Sequence, residues 1–153
     1  MSRSSELPLL KTARMVIQHC SRSFYVLFIT TLIPSVALSE NICVDQYCLE
    51  ARLALTTQEQ EKGLQGVAHL ADNEGMLFVF NPPRPVCMWM KDVPIDLEVV
   101  FFDENGRLMA VRQMKAQTEN THCAPSKVAW ALEVNPGWFE KKRLTKGAKL
   151  QFN

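Results

Sequence analysis

The stretch from Gly75 to Asp103 constrains the fold of this chain more than any other part of the sequence. It holds three short apolar runs and four prolines within twenty-nine residues. Runs of five or six apolar residues have the length of buried strands, whereas helices need longer patterns. Proline interrupts helices and central strands alike. This stretch therefore predicts short, buried β-strands joined by tight turns.

Strand patterns continue on both sides of this stretch. Apolar residues alternate with other residues over 47–55 and over 128–134, as in strands with one apolar face. Thr56 and Glu59 have the spacing of a capping box and predict one short helix, and Asp103–Gly106 predicts a hairpin turn. With about seven short strands and one or two short helices, the sequence predicts a β-rich α+β fold. We expect a single compact domain, built as a curled sheet or a small barrel.

Three local predictions concern the region around Trp89. Asn81–Pro85 contains three prolines without backbone donors, which predicts a rigid turn outside any sheet. Val86–Lys91 follows as a predicted strand, and Lys115–Lys127 is polar enough to be a loop. In the predicted strand Val86–Lys91, period-two alternation would divide the side chains between two faces. One face would carry Cys87, Trp89 and Lys91, and the other Met88 and Met90.

Residues 1–39 have the organisation of a secretory signal peptide. An apolar run, Phe24–Ile33, follows basic residues, and Ala37 and Ser39 supply the small side chains that signal peptidase reads. We expect cleavage after Ser39, with 40–153 as the exported domain in the periplasm or outside the cell. A translation start at Met15 would give the leader ordinary proportions. The alternative is an uncleaved anchor, but the apolar run is shorter than the roughly 20 residues of a membrane span.

The charge of the exported part argues against two classes of partner. Residues 40–153 contain 13 of the 17 Lys and Arg residues and 15 of the 16 Asp and Glu residues, a net charge of about −2. A chain without a basic surplus has no electrostatic attraction for nucleic acid or for an anionic membrane. We expect a small molecule or a protein as partner, no membrane span after cleavage, and a monomer or weak oligomer.

Four cysteines remain after the predicted cleavage, and their even number suggests two disulfides in an oxidising compartment. Of the three possible connectivities we favour Cys43–Cys48 and Cys87–Cys123. The second pair closes a loop of about 36 residues, which contributes roughly 3–4 kcal/mol on a chain-entropy estimate. Four free thiols are the alternative.

Candidate site residues are polar or aromatic side chains within apolar strands. The chain lacks the sequence motifs of serine hydrolases, zinc proteases, nucleotide-binding loops and dinucleotide folds, so we expect no cofactor and no metal. A few polar groups among apolar residues are typical of ligand sites. The primary hypothesis is therefore a non-enzymatic binding module. Its candidate contact residues are Trp89, Lys91, Glu98 and Glu133, with His122 on an adjoining loop.

Three alternatives remain open: a hydrolase, a Cu(I)-binding protein, and a structural or partner-docking domain without a pocket. Glu98 and Glu133 could form the acid–base pair of a hydrolase, although a half-exposed position or a pairing with Lys91 or Arg112 would also explain them. Met88 and Met90 could bind Cu(I), a soft ion that prefers thioether ligands, although methionine commonly fills protein cores.

The order and spacing of several short motifs resemble the domain-of-unknown-function family 192, from Leu49 to the C-terminus. This resemblance implies a small β-rich domain, often behind an export signal, with no established activity. Glu98 stands where the family has aspartate, and Asp96 adds a second carboxylate, so the resemblance argues against a site with strict carboxylate geometry. A Trp-Met pair shared by the family fits packing or ligand binding better than copper binding. The motifs are Gly63-Leu64, Glu74–Phe78, Trp89–Lys91, Leu97–Gly106 and Ala131–Gly137; Gln65 and Met88 depart from the family pattern.

Overall fold

Nine strands and two short helices form the part of the chain that is described. The computed structural model describes residues 38–153. Residues 1–37 of the predicted signal peptide, which was placed at 1–39, and the possible translation start at Met15 lie outside the described residues. In chain order the elements are β1 (Ser39–Val44), β2 (Tyr47–Ala54), α1 (Thr57–Lys62), β3 (Glu74–Arg84), β4 (Cys87–Met88), β5 (Leu97–Phe102), β6 (Leu108–Met114), β7 (His122–Cys123), β8 (Val128–Val134), α2 (Trp138–Lys141) and β9 (Leu150–Phe152).

Seven of the strands form one curled sheet, and β4 and β7 form a separate two-stranded sheet. The order in the large sheet is β6-β5-β8-β3-β2-β1-β9, and all its neighbours are antiparallel except β2 and β3. The two ends of the sheet approach each other, because Arg107 forms a bridge with Lys149 and the N–H of Leu108 donates to the Ala148 carbonyl at 2.8 Å. The sheet is therefore a half-barrel, which confirms the predicted β-rich, single-domain fold.

The central strands are buried on both faces. All six residues of β5 are buried, and successive side chains point to opposite faces. We call the face that packs against Leu64, Met88 and Met90 the front face. The back face packs against Trp138 and Phe139 of α2. Because both faces are covered, a polar residue anywhere on β5 or β8 is withdrawn from bulk water.

Local signals in the sequence were correct around α1. The Thr56 side chain accepts from the N–H of Glu59, and the Glu59 carboxylate accepts from the N–H of Thr56 at 2.8 Å, which is a complete capping box. The helix ends at Gly63, where φ is 47° and the N–H bonds to the Glu59 carbonyl. The hairpin turn at Asp103–Gly106 is also present, with Gly106 at a φ of 73°.

The predicted turn at Asn81–Pro85 was wrong. Strand β3 continues through two prolines to Arg84, which pairs with Val128 after an irregularity in the register. The irregularity covers the positions at which proline cannot donate to the ladder. The predicted strand Val86–Lys91 is also shorter than expected, since only Cys87–Met88 pairs. Its partner, β7, lies inside the region predicted to be a loop.

Both disulfides have the favoured connectivity. Cys43–Cys48 closes the β1–β2 hairpin, and Cys87–Cys123 joins β4 to β7. The second bridge attaches the polar segment after β6 to the chain that leads into Trp89. Within residues 38–153, no helix has the length and apolar character needed to cross a membrane.

We expect Gly75→Ala to destabilise the domain by about 3 kcal/mol through overpacking. A Cβ at this position would lie 2.9 Å from the Glu133 carbonyl oxygen and 2.7 Å from Leu49 Cδ1, and the carbonyl belongs to a buried strand that cannot move away. Urea unfolding measures the change. Gly137→Ala is the control: its Cβ enters open space but requires a φ of 75°, which costs about 1 kcal/mol. Equal losses in the two variants would contradict the steric explanation.

Candidate functional site

Trp89 is held at the surface by the buried residues on either side of it. Met88 and Met90 are buried in the front core, while 45% of Trp89 is exposed, so the predicted alternation continues beyond the end of β4. Met90 fixes the backbone, because its N–H donates to the Thr118 carbonyl at 3.1 Å and its carbonyl accepts from Val93. The indole is therefore presented by a rigid segment.

The opposite wall is formed by α1 and the turn that follows it. No residue of α1 is buried, so the helix presents polar side chains on all sides. The N–H of Gly66 donates to the Asp92 carbonyl at 2.9 Å, which ties this turn to the segment that carries Lys91. Gln60 is fixed as well: its amide donates to the Val79 carbonyl at 2.8 Å and accepts from Arg84 at 2.9 Å.

Three cavities share Trp89 in their linings, and we call them together the Trp89 groove. One of about 540 Å³ is open and lined by polar residues that include Lys62 and Lys91. A second of about 280 Å³ lies between Gln60, Arg84 and the indole. The third, of about 20 Å³, lies at the base of the groove and is lined by Glu133 together with apolar and polar side chains in equal number. A space of this size holds about one water molecule.

Glu133 is the unusual residue of the groove. It lies on β8 directly opposite Met76 and Val99, and only 3% of it is exposed. Burial raises the pKa of this carboxyl to about 8, and neither a hydrogen bond nor a neighbouring charge lowers it. Every buried polar side chain among residues 38–153 has its N and O atoms either in contact with solvent or in a hydrogen bond. The Glu133 oxygens consequently face the small cavity without bonding to a described residue.

The charged side chains around this cavity are Glu61, Lys62 and Lys91. Lys91 Nζ lies 5.7 Å from the centre of the Trp89 ring, a cation–π contact. In the described part of the chain the one ion pair joins Lys115 to Asp96, away from the groove. Among residues 38–153, therefore, no carboxylate is held against Lys62 or Lys91, and no cation against Glu133.

Glu98 has a structural role on the other side of the sheet. Its carboxylate accepts from the N–H of Gly137 at 3.2 Å and of Phe139 at 3.1 Å, and from the side-chain amide of Gln113. These bonds join β5 and β6 to the start of α2. They explain why a carboxylate that is 1% exposed is tolerated in an otherwise apolar strand.

Of the five candidate residues, the structure brings three together. Trp89, Lys91 and Glu133 line the small cavity, whereas Glu98 does not. Its partner on β8 is Val134, while Glu133 is opposite Val99, so the two carboxylates point to opposite faces. The geometry of an acid–base pair is therefore not formed.

His122 lies apart from the Trp89 groove, whereas Met88 contributes to the lining of two of its cavities. His122 pairs with Met88 beside the Cys87–Cys123 bridge and is not among the residues that line the groove. Met88 and Met90 pack in the front core with Met76 and Met114. Among residues 38–153, no three His, Cys, Asp or Glu side chains converge as a metal site would require.

Sequence reasoning did not identify Gln60, Lys62 or Arg84 as groove residues. The capping box indicated the helix, but exposed polar residues on all its sides gave no indication of which side faces Trp89. Arg84 was assigned to a turn, whereas β3 carries it beside Gln60, with its guanidinium 4.9 Å from the Phe80 ring. No local pattern in the sequence reports such contacts between distant segments.

Replacing Glu98 with alanine should destabilise the fold by about 3 kcal/mol, because the donors of Gly137, Phe139 and Gln113 would lose their acceptor. Chemical unfolding monitored by the fluorescence of Trp138 and the other tryptophans measures this loss. Glu104→Ala, at the exposed hairpin turn, is the matched control and should leave the unfolding midpoint unchanged. An unchanged midpoint for Glu98→Ala would show that these bonds do not stabilise α2.

Glu133→Gln should change how stability depends on pH. The wild-type carboxyl stays protonated in the folded state up to about pH 8, whereas in the unfolded chain it ionises near 4.5. The protonated Glu133 carboxyl therefore makes its full contribution to the free energy of unfolding below pH 4.5, and this contribution is lost as the pH rises to 8. Relative to the glutamine variant, wild-type stability should fall by about 1.4 kcal/mol per pH unit within this window. Parallel unfolding profiles from pH 4.5 to 8 would contradict the raised pKa.

Two solved structures with the same fold are bacterial proteins. A Sinorhizobium meliloti protein described as a candidate transcription regulator is 26% identical, with a TM-score of 0.73 over 76% of this chain and 95% of that chain. A Novosphingobium aromaticivorans protein of unknown function is 27% identical, with a TM-score of 0.68 over 75% of this chain and 84% of that chain. No curated protein matches the chain.

The sequence also matches a family model over nearly all of the described region. Residues 41–152 match DUF192, whose description is "Uncharacterized ACR". The match includes every strand that borders the Trp89 groove, as well as the helix α1 that forms its opposite wall. The chain therefore belongs to the DUF192 family.

Proposed function

We propose that this domain is a non-enzymatic ligand-binding module of an exported protein, and that the Trp89 groove is its binding site. The observation that carries the proposal is the position of Glu133. A carboxyl group that is buried, without a partner, and directed at a cavity below an exposed tryptophan is arranged to meet a group from outside the domain.

The energetic cost of Glu133 supports this proposal. The Glu133 carboxyl is only 3% exposed, and its raised pKa shows that burial removes it from most of its hydration at a cost to the fold. A ligand that supplies the missing hydrogen bond recovers part of this cost. Since it would bind the folded state alone, it would also stabilise the domain.

The contents of the groove favour binding over catalysis. Glu98 points to the opposite face of the sheet from Glu133. Glu61, which lines the small cavity with Glu133, is exposed on α1, and His122 does not line the groove. Cys87 reaches one wall, but it is oxidised in the bridge to Cys123, so its sulfur is not a thiolate nucleophile. A hydrolase that used a buried acid pair would need a second buried carboxylate beside Glu133, and the other buried carboxylate of residues 38–153, Glu98, lies on the opposite face.

Two considerations support export and argue against nucleic acid. Disulfides persist in oxidising compartments, and both are formed here, in keeping with residues 1–39 as a cleaved signal peptide. The Sinorhizobium protein is described as a candidate transcription regulator, but the net charge of about −2 over residues 40–153 gives this chain no electrostatic attraction for DNA.

A thermal-shift screen of the mature domain tests the proposal. The compounds should cover sugars, amino acids, amines, carboxylic acids and nucleosides. A ligand at 100 times its Kd stabilises by about 2.7 kcal/mol, which corresponds to a rise in Tm of roughly 10 °C for a domain of this size. We expect at least one class to raise the Tm of the wild type, with the rise lost in Trp89→Ala and reduced in Lys91→Ala.

The controls for this screen are variants outside the groove. Phe152 is a similarly exposed aromatic residue, and Lys127 is a similarly exposed lysine. Phe152→Ala and Lys127→Ala should respond to the ligand as the wild type does. Failure of every compound class, or a Tm rise that persists in Trp89→Ala, would refute the groove as the binding site.

A further inference from the structure

We infer that the ligand is a carbohydrate, with its sugar ring against the Trp89 indole and one hydroxyl group in the small cavity beside Glu133. This inference rests on the proposed function, because it assigns a chemical class to the ligand of the same groove. Three features support it independently: the base of the groove, the exposed indole and the charge balance of the rim.

The base of the groove fits a hydroxyl group. The cavity of about 20 Å³ accepts one group of the size of water, which excludes a phosphate, a carboxylate or a ring. Apolar side chains and the charged Glu61, Lys62 and Lys91 line the same space, so its small size, and not its polarity, limits the group that can enter. A neutral carboxyl offers one O–H donor and a carbonyl acceptor, and a hydroxyl group can satisfy both.

Trp89 provides the second feature. A sugar ring has an apolar face of C–H groups with small positive charges, and the face of an indole is flat, apolar and negative. The other large apolar residues that are exposed among residues 38–153 are Leu38, Leu55 and Phe152, and none of them lines the Trp89 groove. The indole thus combines an apolar plane with nearby hydrogen-bonding groups, as recognition of a sugar requires.

The rim provides the third feature. The 540 Å³ cavity beside the indole has a volume typical of small-molecule sites. Two acids and two lysines, none of them in an ion pair, give it no net charge, and two amides add further donors and acceptors. A rim of this composition suits a neutral ligand with many hydroxyl groups better than an anion or a cation. Its polar side chains are Gln58, Glu61, Lys62, Gln65, Lys91 and Asp92.

Saturation-transfer-difference NMR on the mature protein tests the inference directly. The probes are D-glucose, D-galactose and N-acetyl-D-glucosamine, together with cellobiose, lactose and chitobiose, at millimolar concentrations. We expect transfer to the ring C–H protons of at least one sugar. In a ¹⁵N-labelled sample, that sugar should also shift the indole N–H resonance of Trp89 and leave those of Trp130 and Trp138 in place.

Variants locate the sugar within the groove. Trp89→Ala removes the exposed indole and should weaken binding at least tenfold, whereas Phe152→Ala should bind as the wild type does. At Glu133, leucine should weaken binding about tenfold because it fills the cavity and removes the hydrogen bonds. Glutamine keeps a donor and an acceptor there and should bind within about threefold of the wild type. The ¹⁵N spectrum of each variant verifies that it is folded.

The outcomes separate this inference from the proposed function. If no sugar shows transfer, or if a sugar binds Trp89→Ala as tightly as the wild type, the carbohydrate assignment is overturned. The proposed function survives that result if an amine, an amino acid or a nucleoside raises the Tm and loses this effect in Trp89→Ala. If no class does so, both fail.

Discussion

Burial of the central strands on both faces is the constraint on which the rest of this structure depends. Because β5 and β8 have a covered front face and a covered back face, a polar side chain on either strand cannot reach bulk water. It must find a partner inside the protein or open onto a cavity. Glu98 finds partners inside the protein, because the N–H groups of Gly137 and Phe139 donate to its carboxylate. Glu133 instead lines a cavity. These two outcomes give one glutamate a structural role and place the other at the base of a groove.

The groove exists because short segments that carry little core of their own are fixed by backbone contacts. The helix α1 buries no side chain, so its position comes from the capping box at its start, from Gln60 bonded to β3, and from the turn after it bonded to Asp92. The Trp89 segment is held by Met90 below it and by the disulfide beside β4. The Gly66–Asp92 bond joins the two walls at one point, and a space remains between their exposed side chains.

Local rules predicted much of the fold and part of the site. The β-rich class, the capping box, the hairpin turn and the alternation of Met88, Trp89 and Met90 all follow from neighbours in sequence, so they could be predicted. The path of β3 through its prolines could not be predicted, because it depends on an irregularity in the register with β8, after which Arg84 pairs with Val128. Strand β7 was missed because two residues give no periodicity. Glu98 and Glu133 had the same sequence signature, and only the register of β5 against β8 separates them.

Because Glu98 and Glu133 lie on opposite faces of the sheet, they have different implications for function. A carboxylate in a buried strand is expensive at either position, but the three donors around Glu98 offset its cost within the folded domain. No described residue donates a hydrogen bond to Glu133, and burial without such a donor raises the pKa of its carboxyl. Leucine would remove the cost and fill the cavity, so stability alone does not account for Glu133. An external hydroxyl group would account for the buried carboxyl, the one-water cavity and the exposed indole above it through a single binding event.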